Sequence, residues 1–437
     1  MKWLLLLALL VASSASAQTI GGASVGGAAS GNLNARDVHL CLVPDTQNAA
    51  SQSDFDSEPT PCGVTPGFCT GASCTSSPYC SVDWGNTGAI LLQNLAHSLT
   101  GNMNAIDYSA IKGPDNVRSG AQYPVDHPAC DAILSLGDML DVPSSQVHAE
   151  NGLIEVADIA TLELAGYAGQ IERINYFWQT IKTSGKPYMP LQGNHDPWSV
   201  WHALIDDLDI ESESWFYSLE PTYRMSLAIL IPNASGRPIC AIGVAYADFH
   251  YDVTTQPTRG ATLTSWLTSV WGCGGNNPTV YLQHDIAGAE PEPIAPVAGA
   301  YLREKIGCNY SAWCNHAGTA GMGELFMFAG GHWIGDSSAK TQITALFGAD
   351  PDASVVGVFS NWQEANRHNV NDGGNGITNS DGNGTMYTVV SISPGTKTIC
   401  GHDWNPYWQV RSGDGNGQVS SSTVTSEACF PFDFDAR

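Results

Sequence analysis

Basic side chains are scarce in this chain. Lys and Arg number 17 against 42 Asp and Glu, a formal net charge of −25 over 437 residues. Nucleic acids and anionic membranes are held through Lys and Arg, so neither is expected as a partner. An anionic substrate gains nothing from such a global field, and any phosphate must be handled by local cations. Long apolar runs are missing too. Beyond the first 17 residues no stretch approaches the 18 or so apolar residues of a membrane span. There is no G-x-x-x-x-G-K-[ST] segment, which excludes a phosphate-cradling loop of that type. No internal repeat occurs, and no linker clearly divides the chain.

What is present starts with MKWLLLLALLVASSASAQ, where Lys2, an apolar run from Leu4 to Val11 and small residues at Ala15 and Ala17 read as a secretory signal peptide over 1–17. The expected mature protein is soluble and secreted or otherwise extracytoplasmic. Residues 18–36 are Gly/Ala/Ser-rich and read as a flexible leader. A main domain is expected over 37–405, with a C-terminal tail over 406–437. Twelve cysteines suit an oxidising compartment and favour disulfides over zinc. Their pairing is not fixed by the sequence. Cys62 with Cys80 is expected to staple a loop and Cys308 with Cys314 to form a local bridge; Cys41 and Cys240, in apolar strands, are alternatively free buried thiols. Residues 49–86 are polar, Cys-containing and aperiodic, and read as an insertion held by disulfides.

The periodicity predicts strands at 37–44, 131–137, 187–191, 225–231, 239–247, 278–283, 324–329, 354–360 and 386–393. Helical spacing falls at 87–99, within 151–183 and at 263–271. Strands alternating with helices predict a layered α/β sheet. Trp198 and Trp201 are candidates for a pocket wall or for ordinary core. The acidic run 206–209 reads as a solvated face.

Five apolar runs end in ligand-type residues: LCLVPDTQ (40–47), AILSLGDMLD (132–141), PYMPLQGNHD (187–196), TVYLQHD (279–285) and ELFMFAGGH (324–332). Strand tips that gather Asp, Asn and His are how an α/β sheet builds a site at one edge. Asp45 and Gln47, two apart in extended chain, face the same way. Together with Asp138, Asn194, His284 and His332 they offer carboxylate, amide and imidazole donors that suit a divalent transition metal such as Mn, Fe or Zn. His195 and Asp196 stand beside them as candidate catalytic residues.

The ordered set D-x-Q at 45–47, GDMLD at 137–141, GNHD at 193–196, His284 and GHWI at 331–334 resembles the calcineurin-like metallophosphoesterase family, in a bacterial-type branch with a PDTQ segment. The resemblance covers roughly 37–400, outside the Cys-rich insertion. It implies a four-layer α-β-β-α sandwich of two facing mixed sheets, with a two-metal site at the strand C-terminal ends. It implies one metal held by Asp138, Asn194, His284 and His332, and a second held by Asp45, residue 47, Asp138 and residue 334. Here residue 47 is Gln and residue 334 is Ile where the family pattern has His, so one tight metal and a second weak or absent one are expected. Asp336 and His402 are candidate replacement ligands. The resemblance further implies hydrolysis of a small-molecule or polymeric phosphate ester, mono- or diester, by metal-activated water. His195 would support the leaving group and Asp196 would orient its imidazole. The alternative is a non-catalytic secreted metal- or ligand-binding protein on the same scaffold. An adhesion role is suggested only by the insertion.

Overall fold

A computed structural model describes residues 37–44, 46, 84–105, 129–140, 142, 147, 167–233, 237–249, 257–275, 277–284, 325–331, 337–343, 355–361, 387–404 and 428–431. Its strands are β1 (Val38–Val43), β2 (Ala132–Ser135), β3 (Tyr188–Met189), β4 (Phe216–Leu219), β5 (Leu227–Ile231), β6 (Ile239–Val244), β7 (Thr279–Gln283), β8 (Leu325–Gly330), β9 (Ser337–Ile343), β10 (Val355–Asn361), β11 (Tyr387–Ser393), β12 (Thr398–Trp404) and β13 (Ala428–Pro431). The helices are α1 (Trp84–Thr100), α2 (Ala168–Thr183), α3 (Trp198–Leu208), the single turn α4 (Tyr246–Phe249) and α5 (Pro257–Val270).

Two mixed sheets result. One runs β13-β12-β11-β1-β2-β3 and the other β4-β5-β6-β7-β8-β10-β9. In the first, β1, β2 and β3 are mutually parallel; in the second, β6, β7, β8 and β10 are. These strands are the continuous apolar runs of the sequence, and continuous rather than alternating hydrophobicity marks a strand covered on both faces. β2, β7 and β8 are buried along their whole length. Parallel neighbours need a crossover, and α1 and α2 lie between β1 and β2 and between β2 and β3. One hydrophobic cluster joins both sheets, with Leu40, Leu42 and Leu134 from the first and Ile229, Val280 and Phe326 from the second. Met189 and Leu191, at the end of β3, lie against Gly243 of β6.

The α/β alternation expected from the sequence is present, with several differences. The run 239–247 stops being a strand at Val244. The Ala245 N–H is taken by Ser226 Oγ at 3.0 Å and the Tyr246 N–H by the Gln192 carbonyl at 3.1 Å, so neither donor is left for a ladder. Helix α3 was not anticipated, although Val200, Trp201, Leu204, Ile205 and Leu208 form one buried stripe. Trp201 belongs to the core, whereas Trp198 is 42% exposed. Asp206, Asp207 and Asp209 are exposed, as the solvated-face reading requires. Part of the segment read as a tail forms the edge strand β13.

Among the described residues three cysteine pairs sit at bonding distance: Cys41–Cys130, Cys240–Cys273 and Cys400–Cys429. The alternative of free thiols at Cys41 and Cys240 is therefore corrected. An apolar strand position is compatible with a disulfide when the neighbouring segment brings a second cysteine to it: Cys130 precedes β2, and Cys273 lies in the 3-10 turn after α5. Cys62, Cys80, Cys308 and Cys314 lie outside the described residues. No helix among the described residues is long and apolar enough to cross a membrane.

One core position carries a testable flaw. Tyr188 on β3 is 1% exposed, packs between Trp178 and Trp215, and its hydroxyl has no hydrogen-bond partner among the described residues. Burial, reinforced by the charges of Glu213 and Asp209, drives its pKa upward. A buried hydroxyl left unsatisfied costs about 1–3 kcal/mol. Tyr188→Phe removes the hydroxyl and keeps the ring, so its urea unfolding midpoint should equal or exceed that of the parent. A clear drop would show that the hydroxyl is satisfied by something such as buried water.

Candidate metal centre

Strand β2 ends at Ser135, and Leu136 is followed by two residues in the left-handed region, Gly137 at φ +98° and Asp138 at φ +49°. A non-glycine residue held there is strained, and such strain persists only where its surroundings enforce it. The surroundings here are hydrogen bonds. The Asp138 carbonyl accepts the Thr46 N–H at 2.9 Å, and its carboxylate Oδ1 accepts the His195 N–H at 2.9 Å. The next two N–H groups, of Met139 and Leu140, point into the Asp196 carboxylate at 2.8–3.1 Å.

His284 follows β7 and is fully buried. Its Nδ1 lies 2.7 Å from the Leu136 carbonyl. A carbonyl only accepts, so Nδ1 carries a proton, and in the neutral ring Nε2 presents its lone pair. That lone pair faces Asp138 Oδ2 at 3.0 Å and Asn194 Oδ1 at 2.9 Å. With Asn194 turned this way, three acceptors on three strand ends converge on one point. Asp138, Asn194 and His284 are all 5% exposed or less. Such a convergence requires positive charge, as a proton on Nε2 or as a cation. An imidazole whose other nitrogen donates to a backbone carbonyl is oriented as metal-ligating histidines usually are. The donor set of one carboxylate, one amide oxygen and one imidazole fits a divalent metal.

Two glycines make room for this arrangement. A Cβ on Gly137 would stand 2.5 Å from His284 Nδ1, and one on Gly193 would stand 2.1 Å from Asp138 Oδ1. The glycines of GD and GNHD thus let the β2, β3 and β7 ends approach one another.

Asp196 has a structural task in the turn. Its carboxylate accepts the backbone N–H groups of Met139, Leu140 and Gly193 and so latches the β2 loop to the β3 loop. The neighbouring N–H groups, fixed by the turn, bond to both oxygens. Burial pushes the Asp196 carboxyl up to about 6, the charge of Asp138 adds to this, and the three backbone donors oppose it. His195 is half-buried, its N–H anchored on Asp138.

No protein-family model matches the chain, and no curated protein is similar to it. The site therefore rests on its own residues. Asp45, Gln47, His332, Ile334 and Asp336 lie outside the described residues. Their neighbours do not: Thr46 is bonded to the Asp138 carbonyl, and the Gly331 N–H donates to the His284 carbonyl at 2.8 Å. Among the described residues no group of three or more His, Cys, Asp and Glu side chains is assembled. The described part of the centre contributes Asp138 and His284, with Asn194 as the amide. His402 does not fit as a replacement ligand. It pairs with Val389 on β11, which pairs with Cys41, so it sits two strands, about 10 Å, to the side of β1 and short of its C-terminal end.

The sequence reading missed three supporting groups. The Leu136 carbonyl sets the His284 tautomer, and a backbone group has no sequence signal. Tyr246 sets its ring edge-on to His284 at a centroid distance of 6.3 Å. Gln192 is wholly buried at the end of an apolar run, and a polar residue in that position was the available signal.

Proposed function

We propose that the protein is an extracytoplasmic, metal-dependent phosphoester hydrolase on a four-layer α-β-β-α sandwich, with its site at the C-terminal ends of the parallel strands. The observation that carries this reading is the convergence of Asp138 Oδ2, Asn194 Oδ1 and His284 Nε2 at one buried point. The order of the motifs supports it, and the disulfide pairs are compatible with an extracytoplasmic compartment.

Asp138, Asn194 and His284, with His332, would hold the tighter cation; Asp45, Gln47 and Asp138 would hold a weaker one, because oxygen-only donor sets bind transition metals less firmly. A divalent cation there supplies Lewis-acid polarisation of a phosphoryl oxygen and a water of lowered pKa. The chain itself does the rest. The Leu136 carbonyl holds the His284 ring so that Nε2 faces inward. The Asp196 latch holds Asp138 and Asn194 at their spacing. His195, on the same loop, would give a proton to the departing oxygen or donate a hydrogen bond to the charge developing there.

Purified protein supplied with Mn should hydrolyse chromogenic phosphate esters, and a chelator should stop it. His195→Ala should lower kcat by about 10²–10⁴-fold, the range of one acid–base group, without loss of metal. Equal rates in variant and parent would sink this role for His195. Tight metal binding with no hydrolysis of any ester in a broad panel would instead identify a binding protein on the same scaffold, the reading favoured by Gln47 and Ile334.

A further inference from the structure

Gln192 is a buried amide at the end of β3, and both ends of it are engaged. Its Nε2 donates to the Asp196 carbonyl at 2.9 Å, closing the turn that contains Asn194 and His195. Its Oε1 accepts the Ala247 N–H at 3.3 Å, and its own carbonyl accepts the Tyr246 N–H at 3.1 Å. Tyr246 and Ala247 belong to α4, which follows β6 in the second sheet. Tyr246 in turn lies against His284. One residue therefore shapes the loop carrying Asn194 and docks it onto the sheet carrying His284.

The requirement for such a link is geometric. Asn194 and Asp138 come from the first sheet and His284 from the second, and the two oxygen donors each lie within 3.0 Å of His284 Nε2. Apolar contact alone, such as Met189 and Leu191 against Gly243, is not directional and tolerates sliding of one sheet on the other. Hydrogen bonds fix direction and register. An amide also supplies a donor and an acceptor on one planar group, which neither a carboxylate nor an aliphatic side chain does.

We propose that Gln192 is a positioning residue that sets the spacing of the metal donors across the two sheets, an inference that rests on the proposed metal centre. It touches neither the donor atoms nor a substrate; it acts through the loop and through α4.

The test is calorimetric titration of Mn²⁺ into chelator-treated full-length protein, for the parent and for Gln192→Met, which keeps side-chain length and removes both bonds. Thermal unfolding is followed for each with and without Mn²⁺. The expected result is a Kd weakened by about 10–100-fold, as is found for groups that orient metal ligands, with a smaller metal-induced rise in Tm. A purely structural residue would lower the Tm of the metal-free protein and leave the Kd unchanged, and that result would overturn the proposal. If Gln192→Met does not fold, Gln192→Asn takes its place, because its shorter amide keeps the chemistry and cannot span both partners. Absence of Mn²⁺ binding by the parent is the separate outcome in which the metal centre itself fails, and this inference with it.

Discussion

Gly193→Ala should destabilise the protein by about 3 kcal/mol or more, at the upper end of what overpacking costs, and should abolish tight metal binding. The added Cβ would lie 2.1 Å from Asp138 Oδ1 and 2.2 Å from the Asp138 backbone nitrogen. The first of these could swing away. The second cannot, because the Asp138 backbone is pinned on both sides: its carbonyl accepts Thr46, and the following N–H groups are bound by Asp196. The loop after β2 must therefore shift as a unit, or Gly193 must withdraw and release the N–H it gives to Asp196 at 2.8 Å. Either movement separates Asp138 from Asn194. Gly395→Ala is the control, since a Cβ there meets nothing within 4 Å and its backbone needs no positive φ. The check is a pair of urea titrations on chelator-treated protein, followed by Mn²⁺ binding. If Gly193→Ala unfolds at the midpoint of the Gly395→Ala control, the close approach of the two loops is wrong.

The glycines explain why the approach of Asp138 and Asn194 to His284 was legible in the sequence. G-D and G-N-H-D after apolar runs are short because the geometry is local: a strand ends, a glycine permits close approach, and the next residue is delivered inward. The parallel strands β1, β2, β7 and β8 were legible for a related reason, being continuous apolar segments that only double-sided burial explains. Strand β9 was not. Its sequence, SSAKTQI, has no hydrophobic pattern, and it is a strand because β10 offers it an edge. Nor was β13, four residues tied to β12 by the Cys400–Cys429 pair. Register was also out of reach, so nothing in the sequence placed His402 beside Val389 rather than at the site. The backbone bonds of Asp196 were not legible, because adjacency in sequence pointed only to His195. The turn turned its carboxylate towards three N–H groups, two of them from a loop 56 and 57 residues away.

Of the three described bridges, Cys41–Cys130 should be the most damaging to lose. Its cysteines are 89 residues apart in sequence, against 33 for Cys240–Cys273 and 29 for Cys400–Cys429. In the chain-entropy account, a closed loop of that length restricts the unfolded state by about 4–5 kcal/mol, roughly 1 kcal/mol more than the shorter pairs. A domain has only about 5–15 kcal/mol of net stability, so a large share disappears with this one bond. Its place in the fold adds a functional consequence. The bridge ties β1 to the start of β2, and these parallel neighbours carry the Thr46 and Asp138 segments to the candidate metal centre. The paired variant Cys41→Ala, Cys130→Ala should shift the guanidinium midpoint far below that of the parent. The Cys400→Ala, Cys429→Ala variant should shift it less, since only the edge pair β12–β13 is loosened. Both should be compared under non-reducing conditions and without metal, so that ligand binding does not mask the difference. A smaller effect from the Cys41 pair than from the Cys400 pair would show that the unfolded chain is already constrained across 41–130, or that the bridge strains the folded state.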